Sequence, residues 1–245
     1  MTIETHYMGM EIPKCFQTLQ GVLDAGVDRV ILYGPPGTGK TYAGLTSHVG
    51  ANGSTRLVCT EDMTSANVEG MFMPNENGTF SYLDGAATEA WKQGSRLVID
   101  EIDKASGDVF ALLLAYTDSV ASASHRLPNK EVISPNEGFS VIMTSNIEDP
   151  NKLPSALRDR FPVAIKIDAP HPAALMSLPE DLRKIAASVV SAEEGRRSSL
   201  RGFYAFQQLR STFGLMEAAE IAFGPALAES IVDSLKVGSL ASLEL

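Results

Sequence analysis

Cysteine is nearly absent. Cys15 and Cys59 are the only two in 245 residues, too few for a disulfide framework, and each reads as a small buried hydrophobe. Long apolar runs are missing as well. The longest, Val109–Tyr116, falls far short of the roughly 20 residues that cross a bilayer, so no membrane span is expected. The opening Met-Thr-Ile-Glu-Thr-His has neither the basic patch nor the apolar stretch of a secretory signal, and a cytoplasmic location is expected. Positive charge is scarce: 20 Lys and Arg stand against 30 Asp and Glu, a formal net charge of −10. Duplex nucleic acid needs a basic footprint and is disfavoured as the main partner, although a basic channel formed in an oligomer would not show in this average. The histidines, His6, His48, His125 and His171, are scattered and adjoin no cysteine cluster, so a structural metal site is not expected. What remains is ordinary globular composition, 44% hydrophobic and 20% charged, in a length that suits one large domain or a core with a smaller companion.

Five short apolar or β-branched segments read as buried strands: 29–33, 55–60, 96–100, 139–144 and 163–167. Helical stretches at 40–48, 85–93 and 104–118 lie between them. Strands alternating with helices predict an α/β fold, a parallel sheet covered on both faces. Two insertions break the rhythm. Residues 71–83 carry an Asn77-Gly78 turn between apolar flanks and predict a β-hairpin with Phe80 and Tyr82 in its core. Residues 126–133 give a second, weaker hairpin signal. From 173 onward no strand-like run occurs, and Leu209, Phe213, Leu215, Met216, Ala219 and Phe223 recur at helical intervals. A helical domain follows, with a boundary near Pro170–Pro172.

The chemistry begins at Gly34, Pro35, Pro36, Gly37, Thr38, Gly39, Lys40 and Thr41. This is the pattern G-x-x-x-x-G-K-[ST] between a strand and a helix, a phosphate-binding loop. Backbone amides freed by glycine and the following helix N-terminus cradle phosphates. Lys40 would reach the β- and γ-phosphates and Thr41 would ligate Mg²⁺, so a nucleoside triphosphate is the expected ligand. The strand 96–100 ends in two adjacent carboxylates. Asp100 is suited to the Mg²⁺ shell beside Thr41, and Glu101 to polarising an attacking water. A polar cap after the strand would also favour Asp; the phosphate loop upstream decides for chemistry. Asp103 reads as the N-cap of the next helix. The strand 139–144 leads into Ser145 and Asn146; Asn146 is placed to reach the γ-phosphate or the water, or else simply forms a turn. Arg158 and Arg160 close a short helix, where they would ordinarily complement its dipole.

Together the loop, the segment Leu97–Asp103, Asn146 and the run Ala156–Phe161 resemble the AAA+ superfamily, and within it the MoxR-like and dynein-related branch. The resemblance covers roughly residues 25–170. It implies a P-loop NTPase core over 1–170, with 1–28 as lead-in, and a helical lid over 171–245. It further implies ATP with Mg²⁺ and hydrolysis at the interfaces of a homo-oligomeric ring, a hexamer. Asn146 becomes the sensor 1 residue and Arg160 the arginine finger presented to a neighbour, with Arg158 in reserve. Arg201 is the sensor 2 candidate, with Arg196 and Arg197 as rivals. Met71-Phe72-Met73 is either a substrate-gripping pore loop or hairpin-base packing. The family reading is a chaperone-like ATPase that remodels a partner protein, in company with a von Willebrand factor A-type partner. Two alternatives stand beside it. A nucleic-acid motor or loader would need a basic pore, for which the hairpins supply only Arg126 and Lys130. A structural ring component that binds ATP without turnover would not need Lys40, Asp100, Glu101 and Asn146 together.

Overall fold

Runs of Val, Ile and Leu bounded by polar residues form the five strands of a parallel sheet: β1 (Arg29–Tyr33), β2 (Ser54–Val58), β3 (Arg96–Asp100), β4 (Ser140–Thr144) and β5 (Val163–Lys166). Their order is β5-β1-β4-β3-β2, with every pairing parallel. The α/β expectation is met. The computed structural model describes residues 3–241. Among these it divides into two compact units, one of Thr18–Gly34 and Lys40–Lys166, the other of the residues up to Gln17, Pro35–Gly39 and those from Ile167 onward.

In the first unit, period-two alternation decides which layer each strand residue enters. Leu97 and Ile99 of β3 join Val141 and Met143 of β4 in a core with Trp91, Leu113 and Tyr116. Val98 and Ile142 face the other way, against Gly44 of α2 (Lys40–Thr46). Residues 18–24 of α1 (Lys14–Asp24) precede the sheet, and α3 (Ser65–Val68), α4 (Ala86–Gln93), α5 (Gly107–Tyr116) and α6 (Ser155–Arg160) follow in chain order. Two buried arginines hold helix ends against the sheet. Arg29 donates to the carbonyls of Thr117 (3.2 Å) and Asp118 (2.9 Å) just past α5. Arg96 donates to those of Gly44 (3.2 Å) and His48 (2.8 Å) at the end of α2. Each supplies donors and positive charge where the helix leaves carbonyls unpaired.

The passage from β3 to α5 differs from expectation. Asp103 is not a helix N-cap. It lies inside a short 3-10 turn, Ile102–Lys104, and α5 starts only at Gly107 after Ser106. The Asp103 carboxylate instead accepts from Ser145 Oγ at 2.5 Å, tying the ends of β3 and β4 together.

Both hairpins form. Gly70–Pro74 pairs antiparallel with Phe80–Asp84, and His125–Arg126 with Val132–Ile133. Gly70 has φ +122 and a methyl there would overlap the Leu83 carbonyl, so only glycine admits this turn into the hairpin. Phe80 does not enter a core: it is 68% exposed, as Met71, Phe72, Met73 and Leu83 are also exposed. A two-stranded ribbon has no layer to bury them. Tyr82 is half-buried, with its ring 5.3 Å from Phe72 and its hydroxyl donating to the Glu69 carbonyl at 2.9 Å. Of the cysteines, Cys59 is buried and Cys15 only partly so.

The second unit is helical apart from the two-residue strands His6–Tyr7 and Met10–Glu11. α7 (Pro172–Met176), α8 (Glu180–Val190), α9 (Leu200–Phe213), α10 (Leu215–Phe223) and α11 (Pro225–Ala241) share a core of Leu182, Phe203, Phe206 and Ile231, with Ala218 and Ala219 at its close approaches. No helix among the described residues is long and apolar enough to cross a membrane.

Candidate functional site

β1 ends at Tyr33 and the chain turns through Gly34, whose N–H donates to the Ile147 carbonyl at 3.0 Å. Lys40 opens α2, and its Nζ folds back to the Gly34 carbonyl at 2.9 Å. Burial pushes this ammonium down to about 8, while Asp100, Asp103, Glu148 and Glu101 pull it back up. A cation so poorly hydrated gains most from an anion brought to it.

Next along α2, Thr41 Oγ1 donates to Asp100 Oδ1 at 2.8 Å. Thr144, the last residue of β4, donates to the same oxygen. Arg56 of β2 gives its Nε (3.2 Å) and its Nη2 to Oδ2. Burial alone would raise the Asp100 carboxyl, but the hydrogen bonds from Thr144, Arg56 and Thr41 and the Arg56 charge outweigh it, so the group sits below the usual carboxylate range. Glu101 takes a left-handed backbone, φ 57, rare for a residue with a side chain. Its N–H donates to Thr144 Oγ1 at 3.2 Å. Asn146 Nδ2 donates to Glu101 Oε1 at 3.3 Å, and Lys104 Nζ to Oε2 at 2.7 Å. Thus Thr41, Asp100, Glu101 and Asn146 meet in one hydrogen-bonded web centred on the Thr144 hydroxyl.

Thr144 and Arg56 were absent from the residues singled out in sequence, though signals existed. Val58 pairs with Asp100 in the sheet, so Arg56, two positions earlier, shares a strand face with Val58. A lone arginine inside the strand next to the carboxylate strand marks that face.

In the second unit, Thr38 Oγ1 donates to the Pro35 carbonyl at 3.0 Å and so braces the loop tip. Gly37 has φ +80 and packs so closely on Ser199, the N-cap of α9, that a methyl would overlap Ser199 Cβ. Gly37→Ala is expected to weaken nucleotide binding about 5–30-fold, through strain of about 1–2 kcal/mol at the positive φ; titration with a fluorescent ATP analogue checks this. Arg201 is exposed on the first turn of α9. Arg197 donates Nε to the Ala192 carbonyl at 2.7 Å, and Arg196 is exposed.

The α6 arginines are held by their own chain. Arg158 donates to the Leu153 carbonyl (3.3 Å) and Asn151 Oδ1 (3.1 Å). Arg160 donates to the carbonyls of Leu114 (3.2 Å), in the last turn of α5, and Ala156 (3.1 Å).

The sheet order, the loop after β1 and the carboxylates at the end of β3 define a P-loop ATPase fold. The family model for the AAA domain, dynein-related subfamily, matches residues 29–161, and the chain belongs to that family of ATPases. An uncharacterised protein of Staphylococcus saprophyticus is 32% identical over 149 residues, 57% of this chain and 55% of its own. Protein NorQ of Paracoccus denitrificans is 31% identical over 153 residues, 59% and 54% of the two chains. This chain therefore spans about half the length of the curated relatives it matches. Among solved structures, NtrX from Brucella abortus in complex with ADP aligns over 90% of this chain and 53% of its own, with a TM-score of 0.53 at 14% identity, a likeness of fold.

Proposed function

We propose that this chain binds ATP with Mg²⁺ and hydrolyses it as one subunit of a ring, six in the family pattern, to remodel a partner protein. One observation carries the reading: the web that joins Thr41, Asp100, Thr144, Glu101 and Asn146. Pro35 and Pro36 have no N–H to give, so the phosphates take their amides from the stretch Gly37–Thr41 and their positive charge from Lys40. The Thr41 hydroxyl and Asp100 Oδ1, 2.8 Å apart, are the hard oxygen donors that Mg²⁺ prefers. Held there, Mg²⁺ would supply positive charge to offset that of the phosphates. Glu101 accepts a proton from the attacking water, and Asn146 holds the carboxylate in position for it.

Two arginine assignments complete the proposal. Arg201 places a cation at the positive end of a helix, where it costs stability; a ligand-facing duty as sensor 2 accounts for that cost better than a solvated charge does. Arg160 acts as the finger for a neighbouring subunit, leaving Leu114 and Ala156 to do so. In this reading the α/β core runs over 1–170 and the helical lid over 171–245.

The exposed Met71, Phe72, Met73, Phe80 and Leu83 support a polypeptide client, since apolar side chains on a ribbon contact protein more readily than phosphate. A von Willebrand factor A-type partner fits the same role. Affinity capture with Glu101→Gln protein and ATP tests it: a client retained with ATP and released with ADP supports remodelling. With so few hairpin cations, duplex or single-stranded DNA at physiological salt is expected to leave the hydrolysis rate within about twofold. Several-fold stimulation in a phosphate-release assay would favour the nucleic-acid motor instead.

A further inference from the structure

Asp100 divides its two oxygens between two kinds of partner. Oδ1 receives Thr41 Oγ1 (2.8 Å) and Thr144 Oγ1, both within the web described above. Oδ2 receives Arg56, through Nε at 3.2 Å and through Nη2. Arg56 comes from β2, one of the two edge strands of the sheet, and its side chain is 47% exposed against 6% for Asp100. A half-exposed arginine on an edge strand gives up side-chain freedom to hold a buried carboxylate by one oxygen. Compensating the charge of a buried carboxylate is one reason for such a bond, but that needs only a cation nearby. Orientation is a stronger one, since a planar guanidinium fixes the plane of the carboxylate it grips.

We propose that Arg56 is a positioning residue for the metal: it holds Asp100 by Oδ2 so that Oδ1 stays directed at Thr41. This rests on the reading of Thr41 and Asp100 as the Mg²⁺ site. Groups that orient a metal's ligands typically carry about 10–100-fold in metal affinity. Arg56 bonds to the oxygen that Thr41 and Thr144 do not use, so its grip does not compete with theirs at Oδ1.

The test is a Mg²⁺ titration of fluorescent ATP-analogue binding, with EDTA as the metal-free reference, for the wild type, Arg56→Ala and Arg56→Lys. In EDTA all three are expected to bind alike, since the loop and Lys40 are untouched. The Mg²⁺ concentration that gives half of the tightening is expected to rise about 10–100-fold in Arg56→Ala. Arg56→Lys, which keeps the charge but loses the planar fork, is expected to fall between. An unchanged or lowered Mg²⁺ requirement in Arg56→Ala, with a normal wild-type response, overturns this proposal alone. Full recovery by Arg56→Lys overturns the orienting fork. No Mg²⁺ response in the wild type overturns the metal site and this proposal together. Should Arg56→Ala bind poorly in EDTA through misfolding, Arg56→Lys decides: a raised Mg²⁺ requirement at normal EDTA affinity supports orientation, and none overturns it.

Discussion

Glu101→Gln protein is expected to bind ATP as the wild type does and to hydrolyse it about 10²–10⁴-fold more slowly, the usual contribution of a positioned general base. Glutamine keeps the side-chain length and still offers Asn146 an oxygen, so the web at 3.3 Å survives while the base is gone. Lys40→Ala should fail at the earlier step. Its ammonium is the buried cation nearest the loop, and losing a charged hydrogen bond to phosphate is worth about 1.5–3 kcal/mol, roughly 10–100-fold in affinity. Unfolding would not explain that loss. Burial opposes the Lys40 charge, bringing it down to about 8, and relief of that cost offsets the lost bond to the Gly34 carbonyl, so the thermal midpoint of the nucleotide-free protein should move little. Calorimetry with ATP, a phosphate-release assay and a melting curve separate the two variants. Near-normal turnover by Glu101→Gln would remove Glu101 from its role.

The sheet was legible because its strands are apolar runs with polar ends; only boundaries moved, as with 55–60, observed as Ser54–Val58. The juxtaposition of Thr41 with Asp100 was legible from the two motifs themselves, although β4 lies between their strands, β1 and β3. Other features answer to tertiary contacts that spacing does not encode. Asp103 has the right residue type for a helix cap, but Ser145 claims its carboxylate and the turn begins at Glu101 in a left-handed conformation. Phe80 alternates as a buried strand residue should, yet its hairpin is two strands wide and leaves it 68% exposed among the described residues. Arg29 and Arg96 start their strands as ordinary polar boundaries; only the helix ends brought beside them make them buried clamps. Arg56 and Thr144 belong to the same class, since each acquires its partner from a different strand.

Arg160→Ala is expected to keep ATP affinity near the wild-type value while turnover falls about 10³–10⁵-fold, the effect of losing an arginine that stabilises charge on the transferred phosphoryl group. The competing account is structural: Arg160 pairs the Leu114 carbonyl at the end of α5, and its loss would cost about 1 kcal/mol of stability. The two accounts differ in what else changes. A cap lost from α5 lowers the thermal midpoint and leaves each subunit's rate largely intact at a temperature where it stays folded. A finger lost from an interface abolishes turnover in a protein that still melts normally. Mixing sharpens the contrast. Arg160→Ala subunits keep their own Lys40, and Lys40→Ala subunits keep Arg160, so a mixed ring contains interfaces with both groups intact. Two inactive preparations should regain part of the wild-type rate when combined, and wild-type activity per subunit should rise with protein concentration as rings assemble. A wild-type rate per subunit that stays constant down to dilute monomer would sink the shared site and leave Arg160 as the clasp on α5.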